Sequence, residues 1–345
     1  MPTTRLALIG AGIIGKTHID RIQRHPDLVL AGIADPTPAG QALAETLGVP
    51  WAAEPAALLD QVRPQGAIVA TPNVAHVPVA LECLSRSIPA LVEKPIADTV
   101  GEARKLADAV ARTGTPVLVG HHRRHNPINQ RARTLIAQGQ LGHIVSATAL
   151  ATFLKPDTYF DVAWRRQAGG GPILINLIHD IDMLRFLLGE VTEVQAMDSH
   201  AVRGFEVEDT AAAVLRFASG ALATVIVSDA TTSPWCWDMC AGEQGQYPRQ
   251  DVVSHQIMGT LGSLSLPDLG LWQYQGERSW HAELSHEESR VHTADPYTRQ
   301  LEHFADVISG QAEPLCSALD GLRTLQATLA VHDAAVSGQS IRLEN

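Results

Sequence analysis

Short apolar runs separated by amphipathic stretches of helix length fill the first 120 residues, at positions 6–9, 29–34, 67–70, 90–92 and 117–119. Strands buried on both faces read as continuous apolar runs, so this alternation predicts an α/β unit built on a parallel, doubly wound sheet. Beyond residue 120 the pattern changes. Runs at 142–152, 191–202, 209–217, 221–228 and 255–266 are longer and richer in β-branched residues, and Ala218-Ser219-Gly220 reads as a tight turn between two of them. They predict hairpins of a mainly antiparallel sheet in an α+β unit. Helices are predicted over 172–188, 296–308 and 318–337, and a mobile loop over 233–251. No internal repeat or low-complexity tract interrupts the scheme.

The first apolar run breaks into Gly10-Ala11-Gly12-Ile13-Ile14-Gly15 and then into a helical pattern. Strand, G-x-G-x-x-G and helix in that order describe a phosphate cradle. Gly10 permits the turn, Gly12 lets the backbone approach a pyrophosphate, and Gly15 lets the helix pack on the strand. The second run ends in Asp35, twenty residues beyond Gly15, where an acid accepts from a ribose 2′-hydroxyl and repels a 2′-phosphate. With no Arg or Lys between Asp35 and Arg63, the cofactor expected is NAD rather than NADP. The division expected is a Rossmann dinucleotide-binding domain over residues 1–122 and a substrate-binding and oligomerisation domain over 123–345, with the C-terminal helices packing back on the first.

Length and composition narrow the classes. A chain of 345 residues, 45% hydrophobic, suits two domains. A formal net charge of −11 argues against nucleic acid or an anionic membrane as partner, so anion binding must be local. No run approaches the roughly 18–20 apolar residues of a membrane span. Cys83, Cys236, Cys240 and Cys316 form no C-x-x-C pair, which fits reduced thiols in a cytoplasm.

Candidate chemistry gathers at the ends of predicted strands. Thr71, Pro72, Asn73 and His76 follow one, and Glu93-Lys94-Pro95 follows another, where open α/β sheets bind ligands. A lysine there transfers protons once its pKa is lowered, and Pro95 suggests a cis peptide before it. Gly169-Gly170-Gly171-Pro172 opens an apolar helix on which Asn176, His179 and Asp182 recur every three residues. Buried polar groups need partners, so this stripe predicts a lined cleft with His179 near a substrate hydroxyl. His121-His122-Arg123-Arg124-His125 is a basic knot that lacks interleaved acids or thiols, so no metal site is expected. Arg123 and Arg124 are expected to reach substrate polar groups or an acid at the domain junction. Tyr159, Trp164, Arg165, Trp235 and Trp237 lie in loops suited to stacking on a sugar ring, or to packing or a subunit contact.

Together the glycine fingerprint with Asp35, Ala70-Thr71-Pro72-Asn73 with His76, Glu93-Lys94-Pro95, Gly120 with Arg123-Arg124, the segment 169–182 and Gly259-Thr260-Leu261-Gly262-Ser263 resemble the Gfo/Idh/MocA oxidoreductases over nearly the whole chain. The resemblance implies a Rossmann domain, a C-terminal domain on a large open sheet, and homodimers or homotetramers formed through that sheet. It also implies a nicotinamide cofactor and a sugar, cyclitol or related polyol as substrate. The family's lysine and histidine fall on Lys94 and His179, which then bracket the reacting hydroxyl, one removing its proton and the other bonding to the developing alkoxide. The aspartate usual four residues before the histidine falls on Ile175, which can neither hold a proton nor orient an imidazole. Asn176 and Asp182 then become the candidate substrate contacts. Two rival readings stay open: an NAD-retaining enzyme that oxidises and re-reduces its substrate around an elimination or hydrolysis, and a non-catalytic NAD or sugar sensor.

Overall fold

The computed structural model describes residues 3–344. The chain forms two compact units, one running to His125 and taking in Asp295–Leu325, the other comprising Asn126–Ala294 and the chain from Gln326 onward. The first unit therefore holds a segment from late in the sequence. Its helix Pro296–Ile308 buries Leu301 and Phe304, and the Ile308 side chain lies where a Cβ on Gly66 would fall.

The first unit is built on six parallel strands: β1 (Thr4–Ile9), β2 (Leu28–Ala34), β3 (Trp51–Ala52), β4 (Gly66–Val69), β5 (Ala90–Val92) and β6 (Val117–Val119). Their order is β3-β2-β1-β4-β5-β6, so the chain reverses direction across the sheet between β1 and β4. In open α/β sheets the crevice at that reversal is where ligands bind. Leu6, Leu8, Ile68, Leu91 and Leu118 are fully buried, as two-sided helix cover demands. The two-residue β3 carries no periodicity and escaped the sequence pattern.

The second unit carries nine strands: β7 (Ile144–Thr152), β8 (Val191–Ser199), β9 (Thr210–Phe217), β10 (Leu222–Ser228), β11 (His255–Gly259), β12 (Gly262–Leu266), β13 (Gly270–Tyr274), β14 (Leu284–Glu288) and β15 (Ile341–Arg342). The order is β14-β13-β12-β11-β7-β10-β9-β8-β15, antiparallel except where β10 runs parallel to β7. Burial alternates strictly along β9, with Ala211, Ala213, Leu215 and Phe217 inside and Ala212, Val214 and Arg216 outside. One face of this sheet is thus core and the other open.

Three expectations are corrected. The run 255–266 is a hairpin, β11 and β12, because Gly259-Thr260-Leu261-Gly262 turns the chain. Within 233–251 only the part around the short helix Trp237–Cys240 is anchored, Trp237 being fully buried and Cys236 and Cys240 nearly so, while residues 245–251 are exposed. The helix expected over 172–188 opens as a π-helix, Ile173–Leu177, before the α-helix Ile178–Leu188.

Candidate active site

In the first unit the loop after β1 is shaped by its glycines. Gly10 has φ +94°, open to glycine, and a Cβ there would lie 2.5 Å from the Ala70 carbonyl oxygen. A Cβ on Gly15 would lie 2.1 Å from the Gly10 oxygen, so helix Ile13–Arg24 rests directly on the loop. At Gly12 nothing lies within 4 Å of such a Cβ. Gly12 is the N-cap and makes no side-chain bond, the first turn carries no acid, and Ile13 is 85% exposed. The first-turn N–H groups of Ile13, Ile14 and Gly15 therefore present positive dipole to an open approach, which fits a pyrophosphate.

Asp35 stands at the end of β2. Its Oδ2 accepts the Ala11 amide at 2.7 Å, and its Oδ1 accepts the Thr37 amide at 2.9 Å and the Thr37 hydroxyl at 2.5 Å. Burial opposes the charge, but the bonds from Thr37 and Ala11 outweigh it and hold the carboxyl below the usual carboxylate range. The acid read from sequence as a ribose contact thus also pins the glycine loop.

Glu93 was expected to face a cofactor and instead turns inward. It is 4% exposed, and its Oε1 lies 2.7 Å from Nε2 of the fully buried His18 on helix Ile13–Arg24. Burial pushes the Glu93 carboxyl up, yet the bond and charge of His18 more than offset this and leave it lowered. Tyr297 stacks on His122 with ring centroids 4.3 Å apart and meets His18 edge-on. Neither His18 nor Tyr297 carried a sequence signal, because their partners lie 75 and 175 or more residues away.

His76 is likewise internal, 1% exposed, with Nδ1 2.8 Å from the Pro95 carbonyl and Nε2 2.9 Å from the Thr71 carbonyl. The ring therefore ties the Thr71-Pro72-Asn73 turn to the turn that carries Lys94. Burial lowers its pKa against the pull of both carbonyls, and a neutral imidazole donates to only one of them at a time. Lys94 is half-buried, its amide bonded to Glu93 Oε2, and the Lys94–Pro95 peptide is cis. Arg123 and Arg124 lie buried in the 3₁₀ turn His122–His125, where Arg124 donates to the Leu315 carbonyl at 2.9 Å and pairs with Asp320 at 3.5 Å. Arg124 is thereby an internal clamp of this unit rather than an exposed substrate contact.

In the second unit the predicted stripe divides. Asn176 and His179 are half-buried, whereas Asp182 is 1% exposed within the helix core. The π turn, closed by i→i+5 bonds, shifts the phase that a 3.6-residue period assumes. Beside the stripe, Asp180 lies 3.2 Å from His255 Nε2. Asn176 Oδ1 accepts from Lys155 Nζ at 2.8 Å, a partner the sequence did not reveal. Tyr159 is half-buried under the Arg165 guanidinium at 4.0 Å, and Trp164 is 49% exposed. Glu208, from outside the helix, accepts the Ile173 amide at 2.9 Å and so caps the π segment.

Two family models match the chain. One, described as "Oxidoreductase family, NAD-binding Rossmann fold", covers residues 4–121, and the other, "GFO/IDH/MocA C-terminal domain", covers residues 129–265. The chain is 29% identical to 1,5-anhydro-D-fructose reductase of Ensifer adhaerens over 80% of its own length and 79% of the relative's. It is also 29% identical to inositol 2-dehydrogenase of Rhizobium meliloti (strain 1021), over 97% and 96%. The structure of the WlbA dehydrogenase from Bordetella pertussis, solved in complex with NADH and UDP-GlcNAcA, matches with a TM-score of 0.79 at 26% identity over 99% of each chain.

Proposed function

From the premise that the chain belongs to the Gfo/Idh/MocA family of NAD-binding oxidoreductases, we propose that it oxidises a secondary hydroxyl of a sugar, cyclitol or related polyol or hydroxy acid. The observation that carries this reading is the uncapped helix N-terminus behind Gly12, open to a dinucleotide phosphate and in the same unit as Lys94. When bound, the nicotinamide supplies the hydride acceptor. The N–H groups of Ile13, Ile14 and Gly15 would hold its pyrophosphate, and Asp35, with its negative charge retained, would accept from its adenosine ribose. Lys94 Nζ, in the first unit, would exchange the hydroxyl proton as the carbinol carbon gives up hydride; the family resemblance gives the His179 imidazole, in the second unit, the role of proton acceptor or of donor to the developing alkoxide. His76, by bonding the Pro95 and Thr71 carbonyls, steadies the turn that presents Lys94.

The test is Lys94→Ala assayed with pooled polyols, sugars and sugar acids by NADH fluorescence. Turnover should be abolished while NADH binding persists; a wild-type kcat overturns the assignment.

We also propose that a second copy covers the open face of the second sheet. Met197 is 79% exposed, and Val214 and Ile226 are each more than 40% exposed on adjacent strands around a groove of about 590 Å³. Apolar area of this kind on a sheet is ordinarily buried by association. Cytoplasmic residence belongs to the same reading, supported by four buried thiols without a disulfide among the described residues.

A further inference from the structure

Around Asn176 the second unit gathers three cations, of which Lys155 is buried, the Arg203 side chain nearly so and Arg165 half-buried. Lys155 is 7% exposed; its Nζ donates to Asn176 and lies 3.2 Å from Asp229 Oδ2. Asp229 is shared, because its other oxygen takes Arg203 Nε at 2.9 Å. Arg165 is a third cation, and no carboxylate of the described residues lies within ion-pair distance of it. Its Nη1 donates to the Tyr159 carbonyl at 2.7 Å, while its Nε is buried without a hydrogen-bond partner. Lys155 Nζ stands 4.7 Å from the centroid of the same Tyr159 ring, so both cations share one aromatic wall. Asp157 lies 3.7 Å from Arg203 but is fully exposed, and solvent screens its contribution.

A buried cation is costly unless it is paired. Burial is the main force lowering the Lys155 pKa; Asp229 opposes it, and Arg203 and Arg165 add to it. The residue before Asn176 is the apolar Ile175, which adds no compensating acid. An anion brought by a ligand would complete the set: it would satisfy Arg165 Nε and give Lys155 a partner not already claimed by Arg203.

Resting on the dehydrogenase reading above, we propose that Lys155 and Arg165 form a subsite for a substrate carboxylate, so that the favoured substrates are sugar-type hydroxy acids rather than neutral polyols. Asn176 links the subsite to His179, three residues on, and its amide group remains able to donate to a substrate hydroxyl. Arg165 supplies a planar two-pronged donor and Lys155 a point charge, which is the division of labour that carboxylate binding uses elsewhere.

The test is calorimetric titration of the NAD⁺-loaded protein with matched acid and neutral pairs: D-gluconate against D-glucitol, D-glucuronate against D-glucose, and L-tartrate against L-threitol. One acid or more should bind about tenfold or more tightly than its partner, as a charge-assisted bond implies. Arg165→Gln should erase that preference while leaving NADH affinity and the thermal melt unchanged. No acid preference in any pair, absence of binding included, overturns the proposal, and so does a preference that survives Arg165→Gln. Acid-selective binding without turnover would sink the dehydrogenase reading and support the subsite; turnover of neutral polyols without acid preference would do the reverse.

Discussion

Alanine at Gly12 and at Gly15 should produce opposite failures, because the two glycines differ in what a methyl group meets. At Gly12 the backbone angles, φ −70° and ψ −163°, are open to alanine, and nothing lies within 4 Å of the added carbon. Alanine is a poorer N-cap than glycine by about 0.5–1 kcal/mol. It gains about 0.4–1 kcal/mol by narrowing the unfolded ensemble. The two nearly cancel, so the cofactor-free melt of Gly12→Ala should stay within about 3 °C of wild type. The same methyl intrudes on the path by which a phosphate reaches the first-turn amides. Losing two charge-assisted bonds of about 1.5–3 kcal/mol each weakens binding by at least about 100-fold.

Gly15→Ala places its methyl 2.1 Å from a backbone oxygen that is itself held in a tight turn, so helix and loop must part. Overpacking of this kind costs about 1–3 kcal/mol or more, and the melt should fall before any cofactor is added. Differential scanning calorimetry of the cofactor-free protein and NADH fluorescence titration separate the two effects. Wild-type NADH affinity in Gly12→Ala would refute the cradle, and a wild-type melt in Gly15→Ala would refute the close approach of helix to loop.

Acid should attack the Glu93–His18 pair. Because the folded Glu93 carboxyl is held below its usual range, its contribution is fully present above that range and disappears as pH falls through the lowered value. Wild-type Tm should therefore drop steeply below about pH 4, whereas Glu93→Gln should melt lower at pH 7, by about 3–5 kcal/mol for a broken buried pair, with a flatter acid limb. Parallel acid limbs would contradict the linkage. For the cofactor, kcat/KM should favour NAD⁺ over NADP⁺, and Asp35→Asn should narrow that ratio by about tenfold as the charge opposing a 2′-phosphate is removed; an unchanged ratio assigns discrimination elsewhere. Met197→Lys with Ile226→Lys should give a folded monomer by light scattering from a wild type that is larger, and a monomeric wild type would refute the covered sheet face.

The first sheet was legible because each of its longer strands is a run of apolar residues with cover on both faces, as at Ala67, Ile68 and Val69, all fully buried. The alternation along β9 and β10 was equally plain. By contrast β14 is mostly polar and exposed, and in β13 the large residues Leu271, Trp272 and Tyr274 are half-exposed or exposed on both faces, so neither has a hydrophobic period to read. The glycine loop was legible for another reason. There the residue type itself sets what the backbone can do, and Gly10, Gly12 and Gly15 each have a separate geometric reason. Glu93 and His76 were read as facing a cofactor from their position after a strand, yet both are occupied inside the protein by groups that only the folded chain brings near.

The helical stripe departs from its sequence pattern for a subtler reason. Reading Asn176, His179 and Asp182 as one face assumes α-helical phase throughout, and nothing in Ile173-Leu174-Ile175-Asn176-Leu177 marks a break, since it contains neither glycine nor proline. The π turn needs its wide ring closed by tertiary contacts, of which Glu208 on the Ile173 amide and Lys155 on the Asn176 side chain are two. Such insertions recur at functional sites, where they re-aim a side chain that a regular helix would hold elsewhere. Here the re-aimed group is Asn176, and its partner is the buried Lys155, whose neighbouring carboxylate Asp229 is shared with Arg203. Polar period alone could propose that something binds along this helix; the sign of the charge that awaits it depends on Lys155 and Arg165 of one loop meeting Arg203 of another.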